Sequence, residues 1–222
     1  MMMETSPMPS SLPSTDMRDT DDWQYQMRWQ MQEILPGLYL GPYAVANKSR
    51  LNYLKEHQIT HVLCIRQTIE GKCIRPNFPD DFKYMVLDIS DSVTENIIQH
   101  IPKVNEFLDE CLSKGGRALV HGNAGISRSA AFVVAYVMER FGLSFRDAFR
   151  HVLSKRFCIS LNEGFIQQLK EYEPIYKARL IFQNGEPSPS SISGRTMNKR
   201  KFVEDSEMDT DDTDDMYSAS GS

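Results

Sequence analysis

Cysteine is scarce in this 222-residue chain: Cys64, Cys73, Cys111 and Cys158 show no C-x-x-C spacing and no histidine pairing. That argues against a zinc site of the usual pattern. It also argues against a disulfide framework, which packs more thiols into less chain. No metal and no cofactor are expected. Long apolar runs are also missing, so no stretch approaches bilayer-spanning length and no membrane partner is expected. The opening MMMETSPMPSSLPSTD has neither a basic start nor an apolar run, so no signal peptide is expected. Nor is positive charge in excess: 25 Lys and Arg face 30 Asp and Glu, and nothing calls for nucleic acid as a partner. These absences describe a soluble protein of a reducing, intracellular compartment.

The acidic balance belongs to the ends. Residues 1–29 carry two basic and five acidic residues and 183–222 carry four and nine, which leaves 30–182 with 19 Lys and Arg against 16 Asp and Glu. A mildly basic middle suits an anionic ligand. The expected organisation is a disordered segment over 1–28, one domain over 29–182 and a disordered acidic tail over 183–222. In the tail, NKRK (198–201) reads either as a nuclear import signal or as a solvated charge run. Ser206, Thr210 and Thr213 sit among acids and suit an acid-directed kinase.

Within the domain, strands alternate with helices. EILPGLYLGP (33–42) reads as a short strand punctuated by Pro and Gly, and 43–59 carries apolar residues at roughly helical spacing. THVLCI (60–65), FKYMVLDI (82–89) and RALVH (117–121) read as strands. A helix is expected from Asn96 to the Gly115–Gly116 pair, and a second, apolar on most faces, over SRSAAFVVAYVMERFG. Ser144 with Asp147 resembles a capping box for a third, and Asn162 caps a last helix through Phe182. This pattern implies an α/β domain with a largely parallel sheet and helices on both faces. Its ligand would lie beyond the carboxyl ends of the strands.

LVHGNAGISRSAA (119–131) lies in that position. A strand turning sharply into a helix gathers backbone N–H groups into one concavity, and the helix dipole adds positive field there. Gly122 and Gly125 permit unusual backbone angles. Arg128 can curl back to offer a phosphate two parallel N–H bonds. Ala124, Ser127 and Ser129 leave room for the ligand, and His121 would orient the loop by hydrogen bonding. CLSKGGR repeats the Cys-x5-Arg count with Cys111 and Arg117, but Cys111 falls on the apolar stripe of a helix and reads as a core residue.

HGNAGISR resembles the H-C-x-x-G-x-x-R signature of the dual-specificity branch of the cysteine-dependent protein phosphatases, matching at His121, Gly125, Ser127 and Arg128. The likeness runs over about residues 30–180 and includes LPGLYLG, ITHVLCI and FCISLNEGFIQQL. It implies a central mostly parallel sheet flanked by helices. It also implies a shallow pocket open to phospho-Ser, phospho-Thr and phospho-Tyr, with Gly122, Asn123, Ala124, Gly125, Ile126, Ser127 and Arg128 around the phosphate. Gly122 stands where the family places its nucleophilic cysteine, so no enzyme activity is expected.

Asp91, 31 positions upstream, matches the family's general acid. Capping the following helix is the alternative role for it or for Asp88. Partners implied by the resemblance are phosphorylated signalling proteins, MAP kinases and ubiquitin-ligase adaptors among them, met by a monomer in cytoplasm and nucleus. Three functions remain open: a phosphoprotein-binding pseudophosphatase, an interaction scaffold with a relic loop, and a weak phosphatase using Asp91 and water.

Overall fold

β-Branched and leucine-rich segments assemble one five-stranded sheet in the computed structural model, which describes residues 11–12 and 23–184. The strands are β1 (Gln32–Leu35), β2 (Leu38–Pro42), β3 (His61–Arg66), β4 (Lys83–Asp88) and β5 (Ala118–Gly122), in the order β1-β2-β5-β3-β4. All pairings are parallel except β1 with β2. The sequence pattern predicts one strand over 33–42. The structure folds it into a hairpin, because Pro36 fixes one turn residue and Gly37 takes φ 81° at the next.

Side chains along the central strands alternate between two apolar layers, as the twofold period of a strand requires. Leu38, Leu40, Leu63, Ile65, Ala118 and Val120 face the larger core. Tyr39, Val62 and Leu119 face the smaller one, closed by Leu54, Ile59, Phe78 and Phe82. β5 is buried along its whole length, as expected of a strand covered on both sides.

The larger core is covered by α2 (Ile101–Ser113), α3 (Arg128–Phe141), α4 (Phe145–Lys155) and α5 (Glu163–Asn184). In α3, residues Arg128 to Met138 are all buried, so this helix runs through the layer rather than over it. The other face carries the short α1 (Leu51–Glu56) and two 3₁₀ turns in place of a helix over 43–59. Asn47 accounts for the interruption: its Oδ1 accepts from the Ser49 N–H at 3.0 Å and the Ser49 hydroxyl at 2.7 Å, an alternative to helical bonding. α2 likewise starts at Ile101 after a 3₁₀ turn, with Pro102 in its first turn, where no N–H is needed.

The expected caps form. Ser144 Oγ accepts from the Asp147 N–H at 3.2 Å, and Asn162 Oδ1 from the Phe165 N–H at 2.9 Å. Among the described residues no helix is long and apolar enough to cross a membrane, and no three His, Cys, Asp or Glu residues cluster as metal ligands would. The charge run 198–201 and the candidate phosphosites Ser206, Thr210 and Thr213 lie outside the described residues.

Candidate functional site

β5 is the middle strand, held between β2 and β3, and it delivers the chain into the turn ahead of α3. Residues 122–129 line a recess of about 430 Å³ together with Asp91, Ser160, Leu161 and Asn162. Every residue predicted to hold phosphate therefore meets in one cavity, at the positive end of a 14-residue helix. His121 lies behind it, fully buried.

The two loop glycines differ in what they do. Gly125 has φ 69°, and a β-carbon there would lie 2.4 Å from the Gly41 carbonyl oxygen, so both backbone and space demand glycine. Gly122 has no positive φ, which corrects the expectation that it too supplies backbone freedom. A β-carbon on it would meet the Ile65 carbonyl oxygen at 3.3 Å and Ser129 Oγ at 3.4 Å, contacts a small shift relieves. Position 122 thus accepts a side chain, and no thiol lines the recess.

Arg128 is 9% exposed, and its guanidinium is gripped by Glu70: Nη1 donates to Oε2 at 2.6 Å and Nη2 to Oε1 at 3.1 Å. A longer bond of 3.4 Å runs from Nη1 to the Ile89 carbonyl. Of the five donors on a guanidinium, these contacts take three. Among the described residues Nε–H and one Nη2–H find no partner, and they are the adjacent pair that forms a fork for an oxyanion. Glu70 is itself fixed by the Gln67 N–H at 2.7 Å, and the Arg128 hydrogen bond holds its carboxyl below the usual range. Glu70 carries no signal in the sequence: it is an isolated acid in a polar loop, 58 residues from its partner.

Asp91 faces the same recess. Its Oδ1 accepts from Ser127 Oγ at 2.8 Å and Asn162 Nδ2 at 2.7 Å. These partners lie 36 and 71 residues away, so the helix-capping alternative is not what Asp91 does; Asp88 instead pairs with Arg66 at 3.2 Å. The Ser127 hydroxyl thus has a carboxylate acceptor. No imidazole or amine joins that pair among the described contacts.

Behind the loop, Arg156 is fully buried and makes five hydrogen bonds. Nε reaches the Gly125 carbonyl at 2.8 Å and Nη2 the Ala124 carbonyl at 3.0 Å. The others go to the carbonyls of Gln30 at 2.9 Å and Arg28 at 3.0 Å and to Gln32 Oε1. This residue was missed in the sequence, where LSKRFC looks like the solvated end of a helix. Further ties run from the Ser160 N–H to the Ile126 carbonyl at 3.0 Å and from the Tyr43 N–H to the Asn123 carbonyl at 2.9 Å.

His121 Nδ1 lies 3.1 Å from the Gly122 carbonyl. Burial pulls its imidazole down to about 4, so it is neutral at physiological pH and donates from Nδ1. Cys111 is fully buried in α2, and Arg117 bonds to Tyr39 Oη and the His57 carbonyl, so the Cys-x5-Arg count of CLSKGGR builds no site. Burial also pushes the Cys64 thiol up to about 12, which leaves it without thiolate character.

A mostly parallel sheet with a recessed turn between its central strand and a buried helix, backed by a buried arginine, is the architecture onto which family similarity maps. Residues 38–175 match the family described as Dual specificity phosphatase, catalytic domain, and the chain belongs to that family. It is 58% identical over 169 residues to the human serine/threonine/tyrosine-interacting protein, covering 76% of each chain. It is 53% identical over 192 residues to serine/threonine/tyrosine-interacting protein A of Xenopus laevis, covering 84% of this chain and 86% of that one. The crystal structure of the human tyrosine phosphatase-like serine/threonine/tyrosine-interacting protein superposes with a TM-score of 0.65 at 60% identity, over 66% of this chain and 97% of that one.

Proposed function

We propose that this chain is a pseudophosphatase: a catalytically inactive member of its family that grips phosphorylated Ser, Thr or Tyr sites through the loop 121–128. Bound there, it competes with active phosphatases for those sites or anchors signalling proteins. The observation that carries the reading is a fully built anion recess, with a free edge on the Arg128 guanidinium and with no thiol among its lining residues. The covalent route through a phosphoenzyme needs a thiolate nucleophile, and glycine supplies none. Binding gains by the same change. A thiolate about 4 Å from phosphate would repel it by ~4 kcal/mol per unit charge at an effective dielectric near 20. The names of the relatives, phosphatase-like and interacting proteins, agree with this reading.

The weak-phosphatase alternative has one contact in its favour, the Ser127–Asp91 hydrogen bond. Against it stands the chemistry itself: direct attack by water discards the covalent step that splits a hard reaction into two easier ones. The proposal extends to partners among MAP kinases and ubiquitin-ligase adaptors in cytoplasm and nucleus, which phosphoproteomic capture with the intact chain would test.

Two measurements decide the main reading. In fluorescence anisotropy with a phosphopeptide, Arg128→Ala is expected to weaken binding by about tenfold or more, the cost of a charge-assisted fork. Unchanged affinity would overturn the proposal. Phosphate release from an aryl phosphate is expected to be absent in the parent and present in Gly122→Cys. Release by the parent refutes inactivity, and silence from both points to the scaffold reading.

A further inference from the structure

Ser129 is the second residue of α3 and lines the recess, yet it is only 1% exposed and its hydroxyl has no hydrogen-bond partner among the described residues. Serines in helices commonly bond back to the carbonyl a turn earlier. This one does not. Around it, Ser127 and Asn162 are both bonded to Asp91, and Arg128 is held by Glu70 along one edge of its guanidinium only. The unsatisfied hydroxyl lies 3.4 Å from the point where a β-carbon of residue 122 would sit, with the Ile65 carbonyl oxygen at 3.3 Å from the same point, and it therefore borders, as the donor, the volume that a side chain there would fill.

We propose that Ser129 Oγ is a phosphate ligand in this chain. Glycine at 122 lets a bound phosphoryl group settle deeper than any residue with a side chain would allow. One terminal oxygen enters the volume beside the Gly122 Cα and accepts a hydrogen bond from Ser129, while a second takes the remaining fork of Arg128. The ester oxygen points outward to the partner polypeptide. No bond forms or breaks, and the ligand class is a tetrahedral oxyanion, either a phosphomonoester or free orthophosphate. The inference rests on the phosphate-gripping reading and goes beyond it. The glycine is then a gain as well as a loss, because it opens an oxyanion subsite that a side chain at position 122 would close.

A double-mutant cycle on the full chain tests this, with a phosphopeptide binding directly and orthophosphate competing. The proteins are the parent, Ser129→Ala, Gly122→Ala and the double variant, with urea midpoints confirming that each is folded. Ser129→Ala is expected to weaken both probes by about tenfold, because a hydrogen bond to a charged oxygen is lost. Gly122→Ala is expected to do the same by filling the volume. In the Gly122→Ala background, removing the hydroxyl should then change affinity by less than about twofold. If Ser129→Ala binds like the parent, or costs the same in both backgrounds, the inference is wrong, although Arg128-dependent binding would still uphold the phosphate-gripping reading. A folded parent that binds neither probe overturns both. Loss confined to the phosphopeptide, with orthophosphate competing as before, would place Ser129 against the peptide and refute the subsite.

Discussion

Replacing Arg156 by methionine tests what holds the loop in shape. The guanidinium is fully buried with no carboxylate bonded to it among the described residues, and its charge is met by four backbone carbonyls and Gln32 Oε1. Hydrogen bonds to a charged group contribute about 1.5–3 kcal/mol each, so five contribute roughly 7–15 kcal/mol before the guanidinium's own desolvation is set against them. That desolvation costs several kcal/mol. Methionine recovers it but strands the carbonyls of Arg28, Gln30, Ala124 and Gly125. We expect a net loss of about 3–5 kcal/mol, the range found when a buried polar network is broken from one side. For a domain of this size the thermal midpoint should fall by roughly 6–20 °C. Urea unfolding gives the free energy, and phosphopeptide anisotropy should show weakened binding at temperatures where the variant is still folded. A loss under about 1 kcal/mol, or a gain, would refute the reasoning, since it would mean that desolvation outweighs all five bonds.

Gly125→Ala should destabilise by more than about 3 kcal/mol, because its β-carbon meets the Gly41 carbonyl oxygen at 2.4 Å as well as a left-handed backbone. Gly142→Ala, with φ 65° and nothing within 4 Å, should cost only about 1–2 kcal/mol; equal urea midpoints for the two would refute the steric argument. Stability should also fall with acid through His121. Its pKa is about 4 when folded, against an ordinary 6.5, so between those values the unfolded chain binds the extra proton and about 3 kcal/mol is lost as pH drops from 6.5 to 4. His61 and His151, also lowered by burial, add in the same direction. His121→Asn should flatten the profile of urea midpoints between pH 7 and 4.5, and an unchanged slope would contradict the burial of a neutral imidazole.

What the sequence made legible is what local chemistry controls. The strands at β3 and β5, the buried α3, the Ser144 and Asn162 caps and the meeting of 122–128 at a strand's end all follow from periodicity, side-chain capping and loop geometry. The rest depends on contacts made at long range. Glu70 reaches Arg128 across 58 residues and Arg156 reaches Arg28 across 128, and neither interval leaves a pattern along the chain. The misassigned role of Gly122 has a different origin. Composition records that a residue lacks a side chain but not whether its backbone needs that lack, and of the two loop glycines only Gly125 shows the angle that does.

The reach of Arg156 also bears on where the folded unit begins. The match to the family's domain begins at residue 38, but three of the five acceptors of this buried guanidinium lie at 28, 30 and 32. A fragment cut at the similarity boundary would keep every residue lining the recess and still leave a buried cation short of more than half its coordination. The stretch before the first matched residue is therefore part of the loop's foundation, and an inert or insoluble fragment lacking it would say nothing about the recess itself.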